Sequence, residues 1–112
     1  MDSELVKSIS ADIFDDLTFE SIIPTVIFFT AERCNVCKSL YPVIEEIAVD
    51  YNEKLKIFSV DVDKNKSLAK RFKLRGIPTL LIFKHGEVME RISGFQPKEL
   101  LQVQIERILN IV

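Results

Sequence analysis

The sequence predicts an α/β fold: a mixed central β-sheet, with a parallel βαβ half and a C-terminal antiparallel hairpin, flanked by helices on both faces. Strand-like and helix-like segments alternate between residues 25 and 75, which favours parallel strands joined by a right-handed crossover. The segment "TVIFFTA" is continuously β-branched and aromatic, as in a sheet covered on both faces. Residues 84–87 form a short glycine-containing gap between two later strand-like segments, which predicts the hairpin.

The N-terminal part of the chain predicts one strand, one helix and a second strand. Residues 6–9 indicate a short first strand. Ser10 is a favourable N-cap for a helix over "ADIFDDLTF", where apolar residues recur at helical spacing and early acids suit the helix start. The strand of residues 25–31 follows and is expected to be buried.

The middle of the chain predicts a long helix over residues 34–51, where apolar residues recur at spacings of three and four. Pro42 lies inside this pattern and predicts a kink, because proline lacks an N–H and clashes with the preceding turn. "LKIFSVDV" predicts a second buried strand, and "KNKSLAKRFKL" predicts a short helix that ends near Gly76.

The last third predicts the hairpin strands "TLLIF" and "VMERIS", followed by a final helix. Pro97 opens this helix, since proline is tolerated in the first helical turn. The predicted apolar stripe of the helix consists of Leu100, Leu101, Ile105, Ile108 and Leu109.

Length and composition predict a single domain over residues 1–112. The net charge is −2 and the signs are mixed along the chain, which argues against a nucleic-acid surface and against a polybasic membrane segment. The first ten residues are acidic and mixed, unlike a signal peptide. The longest apolar runs, such as residues 26–29, are far shorter than a bilayer span. We therefore expect a cytoplasmic protein.

Both cysteines, Cys34 and Cys37, lie at the predicted junction between a buried strand and a helix, with two residues between them. A helix N-terminus favours anions, so Cys34 is expected to ionise more readily than a free thiol. Cys37 lies one turn inside the helix, where its sulfur can face that of Cys34. This arrangement predicts thiol–disulfide exchange, in which Cys34 attacks a disulfide and Cys37 resolves the mixed disulfide.

Two other interpretations of the cysteine pair are weaker. A structural zinc site needs four Cys or His ligands, and the single other candidate, His85, is predicted on a distant turn. Inert thiols are disfavoured because the strand-to-helix position is the context that makes such a pair a redox signal. No metal and no bound cofactor is expected.

Four stretches over residues 5–110 resemble the thioredoxin family: "FFTAERCNVCKSLYP", "VDVDKN", "LRGIPTLLIFKHGE" and "SGFQPKELL". The resemblance implies a thioredoxin fold with Cys34 as the nucleophile and Cys37 as the resolving thiol. It implies that Ile77-Pro78 is a cis peptide whose neighbourhood pairs with the substrate chain, and that Gly94 keeps the substrate surface open. It further implies protein disulfide substrates, recharging by a thioredoxin reductase or a low-molecular-weight thiol, and a monomer.

The residues around the cysteines depart from the family pattern. Arg33 replaces an aromatic residue, and Asn35-Val36 replaces Gly-Pro, so Arg33 and Asn35 are candidate substrate-binding residues. Two interpretations of Arg33 remain open here. Its charge could stabilise the Cys34 thiolate, or it could be an exposed loop side chain whose charge is screened.

The family's buried acid aligns with Phe28, and its lysine partner aligns with Ser59, so both buried charges are absent together. Retaining one alone would leave an unpaired buried charge, which is costly. Proton transfer from Cys37 must then use water or another group, and Asp61 and Glu32 are candidates by their position in the sequence.

We therefore expect a thiol–disulfide oxidoreductase that reduces protein disulfides through a Cys34–Cys37 dithiol/disulfide cycle. The alternative is a redox adaptor whose altered surface serves one partner. A disulfide-donating oxidase is disfavoured by the absence of an export signal in the sequence.

Overall fold

The structure, a computed structural model, describes residues 3–111. Within this range, five strands form one sheet and four helices cover it. The elements are β1 (Val6–Ser8), α1 (Ala11–Leu17), β2 (Thr25–Thr30), α2 (Asn35–Asp50), β3 (Lys56–Asp61), α3 (Lys66–Arg71), β4 (Thr79–Lys84), β5 (Glu87–Ser93) and α4 (Lys98–Leu109). The strand order in the sheet is β1-β3-β2-β4-β5.

The sheet has a parallel half and an antiparallel half that meet at the central strand β2. Strand β3 runs parallel to both β1 and β2, whereas β4 runs antiparallel to β2 and to β5. Thr30 at the end of β2 pairs with Asp61 at the end of β3, so the loops that follow these two strands begin side by side. The predicted mixed sheet with a parallel βαβ half and a C-terminal hairpin is confirmed.

The two faces of the sheet bury different cores. Buried residues of α2 and α4 pack on one face with Val26 and Phe28 of β2, and this mainly aliphatic core contains Cys37. The other face buries Ile27 and Phe29 against residues of α1 and α3. Alternate residues of β2 therefore enter opposite cores, and helices cover both faces as predicted.

The helix α3 is shorter than predicted: it ends at Arg71 and is capped by Phe72, well before Gly76. Lys73 adopts a positive φ of 52°, a conformation that cannot continue a right-handed helix. The prediction was wrong because the apolar spacing in this segment continues beyond the point where the backbone turns.

The remaining predicted elements need small corrections. The first strand stops at Ser8, and Ser10 occupies the N-cap of α1 without a side-chain capping bond, since its hydroxyl contacts the Asp12 carboxylate. Pro97 is the N-cap of α4 and precedes its first turn. Leu100 is 53% exposed, so this residue does not belong to the buried stripe of α4.

The β4–β5 hairpin closes through His85 and Gly86, both at positive φ (56° and 74°), as a two-residue turn between twisted strands requires. The Lys84 ammonium donates to the carbonyl oxygens of Ile108 and Leu109 at 2.8 and 3.0 Å, so the hairpin caps the C-terminus of α4. None of the helices formed by residues 3–111 combines the length and the hydrophobicity that crossing a membrane would require.

Candidate active site

A Cys34–Cys37 disulfide lies where the central strand β2 passes into α2. Cys34 is the N-cap of α2, and its sulfur accepts a hydrogen bond from the backbone N–H of Cys37 at 3.2 Å. Cys34 is partly exposed, whereas Cys37 is fully buried. The two sulfurs therefore differ in access to solvent, and the exposed one lies at the positive end of a 16-residue helix.

A second segment, residues 76–78, comes close to Cys34 from the sheet. The Ile77–Pro78 peptide bond is cis, as the resemblance implied, and the Ile77 carbonyl oxygen lies 3.8 Å from the Cys34 sulfur. The Thr79 hydroxyl donates to the carbonyl oxygen of Gly76 at 2.7 Å and closes this turn. The N–H of Ile77 donates no hydrogen bond within residues 3–111, so it is available to an added chain.

Gly94 lies beside this turn, because its N–H donates to the Pro78 carbonyl oxygen at 2.9 Å. Its φ of 79° is a conformation that residues with a Cβ rarely adopt, and a Cβ built there would project into open space. Phe95 follows directly and is 47% exposed, and Val36 in the first turn of α2 is 48% exposed. An exposed apolar side chain thus lies next to the cysteines, and another lies next to Gly94.

Arg33 binds Asp63 through two hydrogen bonds, Nε to Oδ2 at 2.9 Å and Nη2 to Oδ1 at 3.1 Å. The hydrogen bond raises the pKa of Arg33, and it lowers the pKa of Asp63 below its usual value. The guanidinium is therefore held by the loop after β3, and its positive charge is balanced by the carboxylate of Asp63. Asn35, the other expected contact residue, is exposed beside it at the start of α2.

The two positions that align with the family's buried charges hold an apolar and an uncharged polar side chain, and both are inaccessible to solvent. Phe28 is 0% exposed and Ser59 is 2% exposed, and the two residues are paired in register on adjacent strands. The Phe28 ring packs near that of Tyr41, with centroids 6.5 Å apart. The core that contains Cys37 therefore has the aromatic ring of Phe28 at the position where the family has a carboxylate.

The two candidate proton acceptors lie at or just after the carboxyl ends of β3 and β2. Glu32 and Asp61 both line an open cavity of about 450 Å³ at the carboxyl ends of the parallel strands, and neither cysteine lines it. Asp61 also accepts the backbone N–H groups of Asp63 at 2.9 Å and Lys64 at 3.3 Å, so it stabilises the loop after β3. The sequence expectation placed these carboxylates by proximity along the chain; no hydrogen bond within residues 3–111 joins either of them to a cysteine, and their role in proton transfer stays a prediction.

Within residues 3–111, no three His, Cys, Asp or Glu side chains are grouped as metal ligands would be. His85 is exposed on the β4–β5 turn, as predicted. A disulfide between two closely spaced cysteines, with one accessible sulfur at a helix N-terminus beside the unpaired N–H of Ile77, can exchange with thiols and disulfides of an extended chain. The fold and the site thus define a thiol–disulfide oxidoreductase.

Comparisons with known proteins identify the same class. The sequence model of the Thioredoxin family matches residues 5–107. The chain is 44% identical to a thioredoxin of Staphylococcus saprophyticus over 84% of this chain and 88% of the relative, and 41% identical to a thioredoxin of Staphylococcus aureus over 92% and 96%. It is 46% identical to a thioredoxin of Staphylococcus haemolyticus over 70% and 76%. The chain belongs to the thioredoxin family and is a thiol–disulfide oxidoreductase.

Sequence reasoning missed Asp63 as the partner of Arg33 and Phe95 as an exposed ring after Gly94. A signal for the first existed, because Arg33 and Asp63 each follow the carboxyl end of neighbouring parallel strands. Phe95 stands in the quoted "SGFQPKELL" and carried no pattern that separates an exposed ring from a buried one.

Proposed function

We propose that this protein reduces protein disulfides, with Cys34 as the attacking thiolate and Cys37 as the resolving thiol. The observation that carries this assignment is the difference in access: Cys34 is partly exposed at a helix N-terminus and Cys37 is 0% exposed. An incoming disulfide can therefore reach Cys34 first. The N–H of Cys37 that contacts the Cys34 sulfur stabilises it as a thiolate in the reduced protein.

The reaction proceeds in two exchange steps. The Cys34 thiolate attacks one sulfur of the substrate; the substrate S–S bond breaks, a mixed disulfide forms, and the other substrate sulfur leaves as a thiolate and takes a proton. Cys37 then loses its proton and attacks the Cys34 sulfur, which releases the second substrate thiol. Two electrons pass to the substrate, and the protein is left with the Cys34–Cys37 disulfide seen in the structure.

We propose that the substrate chain lies extended between the start of α2 and the surface formed by the cis-peptide turn and Gly94. The unpaired N–H of Ile77 would bind its backbone, in the manner of an added β-strand. Pro78 and Gly94 shape the floor of this surface, and Arg33 and Asn35 border it on the α2 side. Gly94 supports the proposal because it leaves open space where a side chain would stand.

An external donor must reduce the disulfide after each cycle, and a thioredoxin reductase or a low-molecular-weight thiol fits this role. We further propose that residues 1–112 act as one domain, without a bound cofactor, as a monomer in the cytoplasm. A reducing compartment keeps a catalytic dithiol in its active state, which supports this location.

Reduction of insulin tests the proposal. Reduced protein should precipitate insulin chains in the presence of a dithiol donor, and a Cys34→Ser variant should be no faster than the donor alone. Thermal unfolding of the variant checks that it is folded. Equal rates for wild type and Cys34→Ser would disprove the proposed role of Cys34.

A further inference from the structure

An open groove of about 560 Å³ lies between Arg33, Ile77 and helix α3. Its wall comes from three places: the residue before Cys34, the loop and helix after β3, and the segment that leads into the cis peptide. Its charged residues are Arg33, Asp63, Lys66 and Arg75, and apolar side chains complete the lining.

The groove carries an excess of two positive charges, although the whole chain has a net charge of −2. Arg33 and Asp63 neutralise each other in their two-bond pair. Lys66 and Arg75 are both exposed, and neither side chain makes a hydrogen bond or an ion pair within residues 3–111. Lys66 acts on Asp63 through the Coulomb interaction alone, which helps to lower the pKa of that carboxyl after the larger effect of Arg33.

Two residues that line the groove adjoin Cys34: Arg33 precedes it in the chain, and Ile77 approaches its sulfur. The Ile77 carbonyl oxygen lies 3.8 Å from the Cys34 sulfur. A polypeptide whose disulfide meets Cys34 can therefore extend the residues on one side of that disulfide into the groove that contains Lys66 and Arg75. Their positive charges complement a carboxylate there, whereas Asp63 repels a long run of negative charges.

We propose that this groove binds the carboxylate of an Asp or Glu residue close to the disulfide of the substrate polypeptide, so that the protein prefers disulfides with acidic neighbours. The preference rests on the proposed function, because Cys34 must be the sulfur that the substrate meets. Lys66 and Arg75 act as specificity-determining residues, and Arg33 is held in place by Asp63.

Single-turnover reduction of two synthetic peptides tests the preference. Both contain the same disulfide, flanked by two Asp residues in one peptide and by two Asn residues in the other. Acidic neighbours also change the intrinsic reactivity of a disulfide, so each rate constant is divided by that for reduction by dithiothreitol. The corrected ratio of the acidic to the neutral peptide should be roughly three to ten at low salt, from two exposed charge contacts, and should fall towards one at high salt.

Charge reversal locates the effect. In Lys66→Glu/Arg75→Glu the ratio should fall below one, and in Lys66→Gln/Arg75→Gln it should be near one. The matched control is Lys70→Glu/Lys73→Glu, which makes the same change in net charge on exposed residues that do not line the groove, and it should keep the wild-type ratio. Circular dichroism checks the fold of each variant, and the glutamine variant provides the test should the reversed one not fold.

The outcomes separate this inference from the proposed function. A wild-type ratio of one, or a ratio that the groove variants leave unchanged, would overturn the preference while both peptides are still reduced. Failure of the wild type to reduce either peptide in a Cys34-dependent manner would overturn the proposed function, and the preference with it.

Discussion

The two faces of the sheet differ in what they bury, although the same strands build both. On the α1/α3 face, the ring of Phe14 lies 5.4 Å from that of Phe72 and 5.9 Å from that of Phe83, and the Arg71 guanidinium covers the cluster at 5.2 Å from the Phe72 ring. The α2/α4 face is mainly aliphatic and contains Cys37. The core of the α1/α3 face therefore contributes to the stability of the fold, whereas the core of the α2/α4 face also surrounds the resolving cysteine.

The surroundings of the two cysteines differ in where their charges lie. The wall near Cys37 contains Phe28 where relatives with a buried acid would place a charge, so no buried ion pair acts on the resolving thiol at this position. The charges near the site are instead exposed and lie on the Arg33–Asp63 side of Cys34. The following changes would break or sharpen this contrast, in order of decreasing effect.

The largest effect is expected for Phe28→Asp. The change removes a buried ring and leaves an unpaired carboxylate in an apolar core, which should cost much of the free energy of unfolding of a domain, about 5–15 kcal/mol. The double variant Phe28→Asp/Ser59→Lys should recover part of the loss, because Ser59 is the register partner of Phe28. Denaturant unfolding measures both, and a single variant as stable as wild type would contradict the account of this wall.

Phe14→Ala tests the opposite face. Phe14 is 0% exposed, and deletion of a buried phenylalanine side chain costs about 3–5 kcal/mol. Since the α1/α3 face holds neither cysteine, the rate of insulin reduction per folded molecule should remain at the wild-type value under conditions where the variant is folded. A strong loss of rate without unfolding would show that the two faces are not separable.

Asp63→Asn removes the carboxylate that holds Arg33. The pKa of Asp63 is lowered in the folded protein by its hydrogen bond with Arg33, so its contribution to stability is present above the usual pKa and is lost as pH falls through the folded value. Wild type should therefore have a slightly higher Tm than Asp63→Asn at pH 7, and the difference should disappear at strongly acidic pH. A difference that is independent of pH would indicate a role unrelated to this charge.

The smallest effect is expected for Tyr51→Phe. Burial, followed by the 2.8 Å hydrogen bond to Glu106, raises the pKa of Tyr51 to about 12. A raised pKa means that this contribution to stability is complete below pH 10 and is lost as pH rises through 12. Ultraviolet titration should show one phenol ionising near pH 12 in wild type and its absence in Tyr51→Phe, and a wild-type titration without that phenol would contradict this prediction.

Much of the fold follows from local patterns. The continuous apolar run of β2, the helical spacing of α2 and the glycine-containing hairpin turn predicted their elements within one or two residues. The end of α3 did not follow, because it depends on the left-handed backbone of Lys73. Leu100 was placed in a buried stripe by spacing alone, although which side of α4 is covered depends on the packing of that helix.

The features of the site likewise fall into those that local sequence patterns predict and those that only the folded chain brings together. The cysteine pair and the Ile77–Pro78 step were visible in the sequence, because each occupies a recognisable position at the end or the start of a strand. The Arg33–Asp63 pair and the groove that contains Lys66 join side chains from segments that lie far apart in the sequence. Such contacts depend on strand register, which a linear pattern does not specify.

Trapping of a mixed disulfide tests the central claim most directly. Reduced Cys37→Ser and reduced Cys34→Ser are each mixed with an oxidised peptide, and the adducts are located by mass spectrometry over time. We predict a one-to-one adduct on Cys34 in Cys37→Ser, and reaction on the order of 100-fold slower in Cys34→Ser, because Cys37 is 0% exposed. Comparable rates for the two variants, or faster reaction at Cys37, would contradict the assignment of Cys34 as the attacking thiol.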